Sequence, residues 1–273
     1  MDCGREYPRG GGVVSEPRII ASFSCGAASA VATKLALEDF GPDRVTIINI
    51  EIQEEHPDNR RFLADCEQWF GSPIEVLRDT KYNASIIELF LKRRFIVGPG
   101  RTPCSAALKR DVAARYYRPD DEVVLGYTYE EQGRADRFID ANNERRSHFP
   151  LIHHKLTHAD CLALVQRQGV ELPAMYRLGF NNANCIGCVR GGQAYWNKIM
   201  EVFPEQFARM AAVEQQIGAA VLRYRSGPKK GEKMPLRELQ PTKRPLSQEP
   251  DISCSIHCEL ADEINLPRRN NKR

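Results

Sequence analysis

The chain has 273 residues, nine cysteines and a formal net charge of +3 at pH 7. This length allows one full domain with appendages or two small domains, and the charge is too small to predict a nucleic-acid partner by itself. The sequence has no apolar run of membrane-spanning length, and its first twelve residues lack the apolar core of a signal peptide. We therefore expect no membrane association and a cytoplasmic protein whose cysteines are reduced.

Strand-like and helix-like runs alternate along the first 150 residues. The strand-like runs are RIIASF, RVTIINIE, PIEVLR and EVVLGYT, and the helical runs between them begin near residues 29, 58, 84 and 104. Such alternation is typical of βαβ units. It predicts an α/β fold with a doubly wound, Rossmann-like parallel sheet and helices on both faces, in which the continuous Ile/Val runs are buried on both sides.

The remainder of the chain has a different composition. We assign a leader at 1–17, the α/β domain at 18–150, a helical region at 151–225, and a basic, Pro-rich, irregular C-terminal tail at 226–273. The tail has little apolar periodicity, so we expect it to be ordered only if something docks it.

The first strand-like run leads into a loop of small residues, Ser22 to Ser29, that opens an Ala-rich helix. Glycine and short side chains allow backbone N–H groups to approach an anion at a helix N-terminus. The loop contains no Lys, Arg or Asp. From these residues alone, the loop is consistent with either a phosphate-binding loop or an ordinary tight turn.

The stretch SFSCGAASAV resembles the phosphate loop of the PP-loop superfamily, with Ser24, Gly26 and Ser29 at matching positions. Ala27 and Ala28 replace the Lys and Asp with which ATP-splitting members stabilise the leaving pyrophosphate, so ATP cleavage is not expected. The loop is more similar to that of the reductases of adenylyl sulfate (APS) and phosphoadenylyl sulfate (PAPS). The resemblance covers roughly residues 18–212 and is strongest to phage and bacterial members, which implies a bacterial or host cytoplasm.

This resemblance implies an adenine-nucleotide site. The phosphate-loop candidates are Ser22, Ser24, Gly26 and Ser29, and Asn49 and Glu51 would face the adenosine from the end of the second strand. Lys109, Arg134 and Arg137 are candidates for the anionic end, with solvated helix positions as the alternative.

Cysteine spacing indicates a metal centre. Cys185 and Cys188 form a C-x-x-C pair, a spacing that allows two thiolates to hold one tetrahedral ion. The resemblance to iron–sulfur APS reductases adds Cys104 and a four-iron four-sulfur cluster, with zinc as the alternative. Ser105 stands where those enzymes have a further Cys, so the fourth ligand is open to Cys258, Cys254 or an exogenous group, and we predict Cys258.

The tail also carries a candidate nucleophile. Cys254 and His257 share the C-x-x-H spacing of the E-C-G-x-H motif of assimilatory reductases, although Ser253 and Ser255 depart from it. The resemblance implies that the Cys254 thiolate attacks the sulfonate sulfur and that a thioredoxin-like reductant then releases sulfite. A neighbouring imidazolium such as His257 lowers a thiol pKa. The competing interpretation makes a tail cysteine a metal ligand.

Three functions are consistent with these features. The leading one is reduction of APS or PAPS to sulfite by an enzyme with a Cys-bound metal centre. The second is thiolation of a nucleic acid, held through the basic tail, by an iron–sulfur sulfurtransferase. The third is a non-catalytic protein that binds or sequesters a nucleotide.

Overall fold

A computed structural model describes residues 16–98, 102–241, 245–249 and 252. Its centre is a five-stranded, fully parallel sheet in the order β3-β2-β1-β4-β5. The strands are β1 (Ile19–Ser22), β2 (Val45–Glu51), β3 (Ile74–Arg78), β4 (Glu122–Val124) and β5 (Ser147–His148). This arrangement confirms the predicted doubly wound α/β fold.

Helices connect the strands and then continue alone. They are α1 (Ala27–Phe40), α2 (Asn59–Phe70), α3 (Ile86–Arg93), a π-helical turn (Ser105–Arg110) that runs into α4 (Asp111–Tyr116), α5 (Gln132–Ala141), α6 (Pro150–His153), α7 (His158–Arg167), α8 (Ala174–Arg177), α9 (Gln193–Val202) and α10 (Pro204–Ile217). No helix within these described ranges is long and apolar enough to cross a membrane.

The two faces of the sheet are covered by different helices, as predicted. Ile19 and Ala21 of β1 pack in one cluster with residues of α1, α2 and α7. Ile20 points the other way and packs with Val112 and Ala113 of α4. Because successive side chains of a strand alternate between faces, one apolar strand supplies both layers of core.

Two strands differ from the prediction. β3 is an edge strand, and the side chain of Val76 is 52% exposed, so burial on both sides does not hold for this strand. β5 consists of two residues, Ser147 and His148, which is too short to produce a sequence period.

A carboxylate joins the sheet domain to the helical region. Asp58, at the start of α2, makes no helix-capping hydrogen bond. Its carboxylate accepts two hydrogen bonds from Arg61 and one from the N–H of Ala174 in α8, at 2.7–2.8 Å. The Arg61 guanidinium holds the pKa of Asp58 at about 2, below its usual value. The predicted boundary near residue 150 is therefore bridged by polar contacts.

Much of the Pro-rich segment packs against the chain's own helical region. Residues Leu222–Arg223 (β6) and Lys233–Met234 (β7) form an antiparallel hairpin, and Leu236 is fully buried. The buried carboxylate of Glu214 in α10 accepts the N–H groups of Val221 and Leu236, both at 2.6 Å. In its described parts, residues 226–241 and 245–249, the tail is thus docked by the chain itself.

Candidate functional site

A cavity of about 490 Å³ opens beyond the carboxyl ends of β1 and β4. Open parallel sheets bind ligands at this position, where the connections diverge to opposite faces. Its described wall is formed by Ser22, Phe23, Ser24, Gly26, Ala28, Ser29, Ile50, Glu55, Lys109, Leu125, Gly126, Tyr127, Thr128, Glu130, Glu131, Arg134, His158, Tyr176, Asn182, Ala183, Asn184, Arg190 and Ile252.

The loop between β1 and α1 presents backbone N–H groups on one side of this cavity. Gly26 is the N-cap of α1 and supplies no capping side chain. The Ser29 hydroxyl accepts the N–H of Ser24 at 3.1 Å, and the Tyr176 hydroxyl accepts the N–H of Ala27 at 3.3 Å. The N-terminal end of the α1 dipole favours negative charge at this loop, which carries no cation of its own, and a bound anion would compete with the Ser29 and Tyr176 hydroxyls for these N–H groups.

A second glycine determines how closely β4 approaches α1. A Cβ on Gly126 would lie 3.0 Å from Cα and 3.1 Å from N of Ser29, and 3.2 Å from the carbonyl carbon of Ala28. These atoms are backbone and cannot rotate away. Gly126 therefore allows the end of β4 to lie directly against the first turn of α1.

Lys109 reaches the cavity from the π-helical turn. Its ammonium lies 3.7 Å from Glu55 Oε1, and both side chains are nearly buried. Burial raises the pKa of Glu55, and the charge of Lys109 opposes that rise. Glu55 was not predicted as a site residue, because in the sequence it belongs to a polar stretch that is typical of a solvated loop.

Arg134 reaches the cavity from α5. Its guanidinium donates to Glu131 at 2.7 Å and lies over the Tyr127 ring, 4.4 Å from the ring centroid. These contacts hold the guanidinium in the wall. Arg137, one helical turn further on, is not part of the described wall.

Two other predicted residues are placed outside the cavity wall. Asn49 is buried beneath the loop, where its amide donates to the Phe23 carbonyl at 2.9 Å. Glu51 contacts Arg60 at 3.0 Å and Arg78 at 3.4 Å. Asn49 thus supports the loop backbone, and Glu51 belongs to a surface charge cluster.

Several wall residues come from the helical region and were missed. His158 begins α7, Tyr176 lies in α8, and the segment before α9 supplies Asn182, Asn184 and Arg190. The only sequence signal was the proximity of the asparagines to the C-x-x-C pair. Their place in the same wall as the β1–α1 loop depends on how the helical region packs against the sheet.

The C-x-x-C loop is built around one buried hydroxyl. Tyr195 donates to the Cys185 carbonyl at 2.9 Å and accepts the N–H groups of Gly187 and Cys188 at 3.1 and 3.0 Å. Burial raises the pKa of Tyr195 well above its usual value. The hydroxyl therefore stays neutral and fixes the loop.

The three described cysteines of the predicted metal centre share one core cluster. Cys188 is buried in it, and Cys104 and Cys185 pack against it. Within the described ranges, no three His, Cys, Asp or Glu side chains are grouped so as to hold a metal ion. These residues alone do not complete a site, and we assign no reaction step to a metal. Cys254, His257 and Cys258 lie outside the described residues.

Two described residues beyond the β6–β7 hairpin, Glu249 and Ile252, contact the segment around the C-x-x-C loop. The nearly buried carboxylate of Glu249 accepts the N–H of Ala194 at 2.9 Å, at the start of α9, and that of Tyr195 at 3.4 Å. The side-chain amide of Asn184 donates to the carbonyl of Ile252 at 2.6 Å. Ile252 is part of the cavity wall, and Cys254 follows it by two residues.

Comparison with known proteins gives two matches. Residues 18–194, more than half of the chain, match the family model described as the phosphoadenosine phosphosulfate reductase domain. A protein of Escherichia phage 186, described as an uncharacterized 37.8 kDa protein in the gpa 5′ region, is 29% identical over 136 residues. That alignment covers 45% of this chain and 40% of the phage protein, so the chain spans less than half the length of this relative.

Proposed function

Since the chain belongs to the phosphoadenosine phosphosulfate reductase domain family, we propose that it binds APS or PAPS in the cavity and reduces the sulfate group to sulfite. One observation carries the proposal. The first turn of α1 begins with a glycine cap and faces a cavity whose wall also contains Lys109, Arg134 and Arg190. A phosphosulfate is a compact anion that such donors recognise.

The position of Ile252 supports Cys254 as the nucleophile. Cys254 follows Ile252 by two residues in the sequence, and two residues of extended chain span about 7 Å at most. Cys25, the cysteine within the β1–α1 loop, is less suited to attack. Burial raises the pKa of the Cys25 thiol well above its usual value, which suppresses the reactive thiolate.

The reaction proceeds in two steps. The Cys254 thiolate attacks the sulfonate sulfur, a Cys–sulfur bond forms, and the sulfur–oxygen bond to the phosphate breaks; the leaving group is AMP from APS or adenosine 3′,5′-bisphosphate from PAPS. A dithiol reductant of the thioredoxin class then attacks Sγ of Cys254 and expels sulfite. Its second thiol closes the reductant's disulfide and returns the Cys254 thiol, so the dithiol supplies both electrons.

The test is an assay of sulfite release from APS and PAPS with thioredoxin and its reductase. We expect release by the wild-type protein and by Cys3→Ser, since the proposed mechanism does not use Cys3. Cys254→Ser should abolish release and leave the nucleotide Kd within about threefold, since the contacts that bind the nucleotide are retained.

Other results favour the alternatives. Nucleotide binding with no sulfite from either substrate would favour the sequestering protein. Release of pyrophosphate from ATP together with thiolation of a nucleic acid would favour the sulfurtransferase. In that case the exposed residues Lys229 and Lys230 of the β6–β7 turn and Lys233 of β7 would contact the phosphates of the nucleic acid.

The cysteine metal centre is a separate part of the proposal. Its support is the C-x-x-C spacing of Cys185 and Cys188, in a loop that the Tyr195 hydroxyl fixes; the family resemblance adds Cys104, and Cys258 would close the site. We expect anaerobically purified protein to contain one iron–sulfur cluster, with a broad absorption band near 400 nm, or one zinc ion. Cys188→Ala should lose that metal, whereas Cys66→Ala, a buried thiol on α2, should retain it. Equal metal content in the two variants would contradict the assignment.

A further inference from the structure

The β6–β7 hairpin and the residues after it concentrate the positive charge of the chain. Residues 222–238 contain two carboxylates, Glu232 and Glu238, against six cations: Arg223, Arg225, Lys229, Lys230, Lys233 and Arg237. This excess of four positive charges is larger than the net charge of +3 of the whole chain. The rest of the chain is therefore close to neutral, and the small net charge has one local source.

The strands of the hairpin direct two of these cations to solvent, side by side. Leu222 and Met234 are buried in the core of the helical region. Because successive side chains of a strand alternate between faces, the neighbouring Arg223 and Lys233 lie on the outer face, where both are exposed. The register places these two cations directly opposite each other. Like charges in this position destabilise a strand pair, so an anion bound between them would stabilise the hairpin.

Two of the six cations act within the protein. Arg225 forms an ion pair with Glu249 at 3.1 Å, and Arg237 interacts electrostatically with the buried carboxylate of Glu214. The other four are exposed and form no ion pair with any carboxylate in the described ranges: Arg223, Lys229, Lys230 and Lys233. Elsewhere on the described surface, exposed cations such as Lys92 pair with a neighbouring acid. The hairpin thus keeps its charge available for an external partner.

The composition of the turn favours a phosphate backbone over a lipid surface. All residues from 225 to 233 are exposed, and none of them is Leu, Ile, Val, Met, Phe, Tyr or Trp. Binding at a membrane surface uses such side chains beside the cations, because they enter the bilayer. Nucleic acids need only the cations, which neutralise successive phosphates and release counterions.

The shape of the hairpin favours duplex DNA. Backbone hydrogen bonds extend the two-stranded antiparallel ribbon toward the turn: the Tyr224 N–H donates to the Glu232 carbonyl at 3.0 Å, and the Gly231 N–H donates to the Tyr224 carbonyl at 2.8 Å. The major groove of B-form DNA admits a ribbon of this kind, whereas the major groove of A-form RNA is too deep and narrow.

We propose that the β6–β7 hairpin binds duplex DNA through the phosphate backbone, with Arg223, Lys229, Lys230 and Lys233 as its contacts. The inference does not rest on the proposed function, because none of these residues belongs to the described cavity wall. It requires no chemistry on the DNA. It assigns a second, separate binding surface to the chain.

The test is fluorescence anisotropy of a labelled duplex of roughly 20 base pairs, titrated with the full chain between about 50 and 200 mM NaCl. Four phosphate contacts predict that log Kd rises with log salt with a slope of about 3.6, or about 0.9 per contact. The triple variant Lys229→Gln, Lys230→Gln, Lys233→Gln should weaken binding at least about tenfold at about 100 mM NaCl and reduce the slope to about 0.9.

The matched control removes the same charge from cations that are paired elsewhere. Lys34→Gln, Arg60→Gln and Lys92→Gln together each leave one ion pair and should keep the DNA affinity within about threefold of wild type. Equal weakening in the two triple variants would overturn the assignment to the hairpin. No binding at about 50 mM NaCl, or tighter binding of an RNA duplex or of polyglutamate, would overturn the proposal as well. AMP titration of the same proteins tests the proposed function separately, since neither triple variant should change AMP affinity.

Discussion

Replacing Gly126 by valine is expected to weaken adenine-nucleotide binding by about 100-fold, equivalent to about 2.7 kcal/mol. Even a single Cβ at this position would lie 3.0 Å from Cα of Ser29. Since the first turn of α1 cannot rotate away, it must shift, and the loop amides shift with it. Titration calorimetry with AMP measures the loss, and thermal unfolding shows whether the fold survives.

Two glycine variants serve as controls for this prediction. Gly133→Ala places its Cβ 3.7 Å from the end of the Arg137 side chain, so affinity should be unchanged. Gly26→Ala would meet the Tyr176 hydroxyl at an ordinary 3.4 Å, and its effect should be smaller than that of Gly126→Val. If the folded Gly126→Val protein bound AMP with wild-type affinity, the contact between β4 and α1 would have no role in nucleotide binding.

Replacing Gly191 by alanine is expected to lower the free energy of unfolding by about 3 kcal/mol. The added Cβ would lie 2.0 Å from Cδ1 and 2.6 Å from Cγ of Tyr195. The ring is buried, and its hydroxyl holds the C-x-x-C loop through three backbone hydrogen bonds. Displacing the ring therefore disturbs both the core and the loop.

Urea unfolding measures this loss. Gly133→Ala is again the matched control, since alanine in a helix is more favourable than glycine by about 0.8–1.0 kcal/mol and should stabilise α5. If the Gly191→Ala variant loses bound metal as well as folding stability, the C-x-x-C loop and the proposed metal centre are coupled. Unchanged unfolding of Gly191→Ala would show that Tyr195 has room to move, contrary to the packing seen here.

The parallel sheet and its main helices could be predicted from the sequence, because their signals are local. A run such as RVTIINIE is apolar at nearly every position, and the small residues from Ser22 to Ser29 mark where β1 ends. The same local matching found the family and the small-residue loop that the proposal assigns to the phosphates. Lys109 and Arg134 were also predicted locally, Lys109 because it follows Cys104 on the same helix and Arg134 because it follows the strand-like run EVVLGYT.

Other features depended on tertiary packing. Asn49 lies near the carboxyl end of β2 as predicted. Its side-chain amide, however, donates a hydrogen bond to the Phe23 carbonyl in the loop and does not line the cavity. Glu55 became a wall residue because Lys109, far along the chain, came within 3.7 Å of it. Contacts of this kind join residues with no periodic relation, so no sequence pattern reports them.

The sequence alone determined the sheet, the small-residue loop after β1 and the cysteine spacing, since each is a property of a few consecutive residues. Only the tertiary structure decided the balance of charge in the cavity and the docking of the Pro-rich segment by Glu214 and Glu249. The physical reason is that buried charges are stabilised by whichever donors and cations the fold brings to them. For this cavity those partners come from helices of both the α/β domain and the helical region.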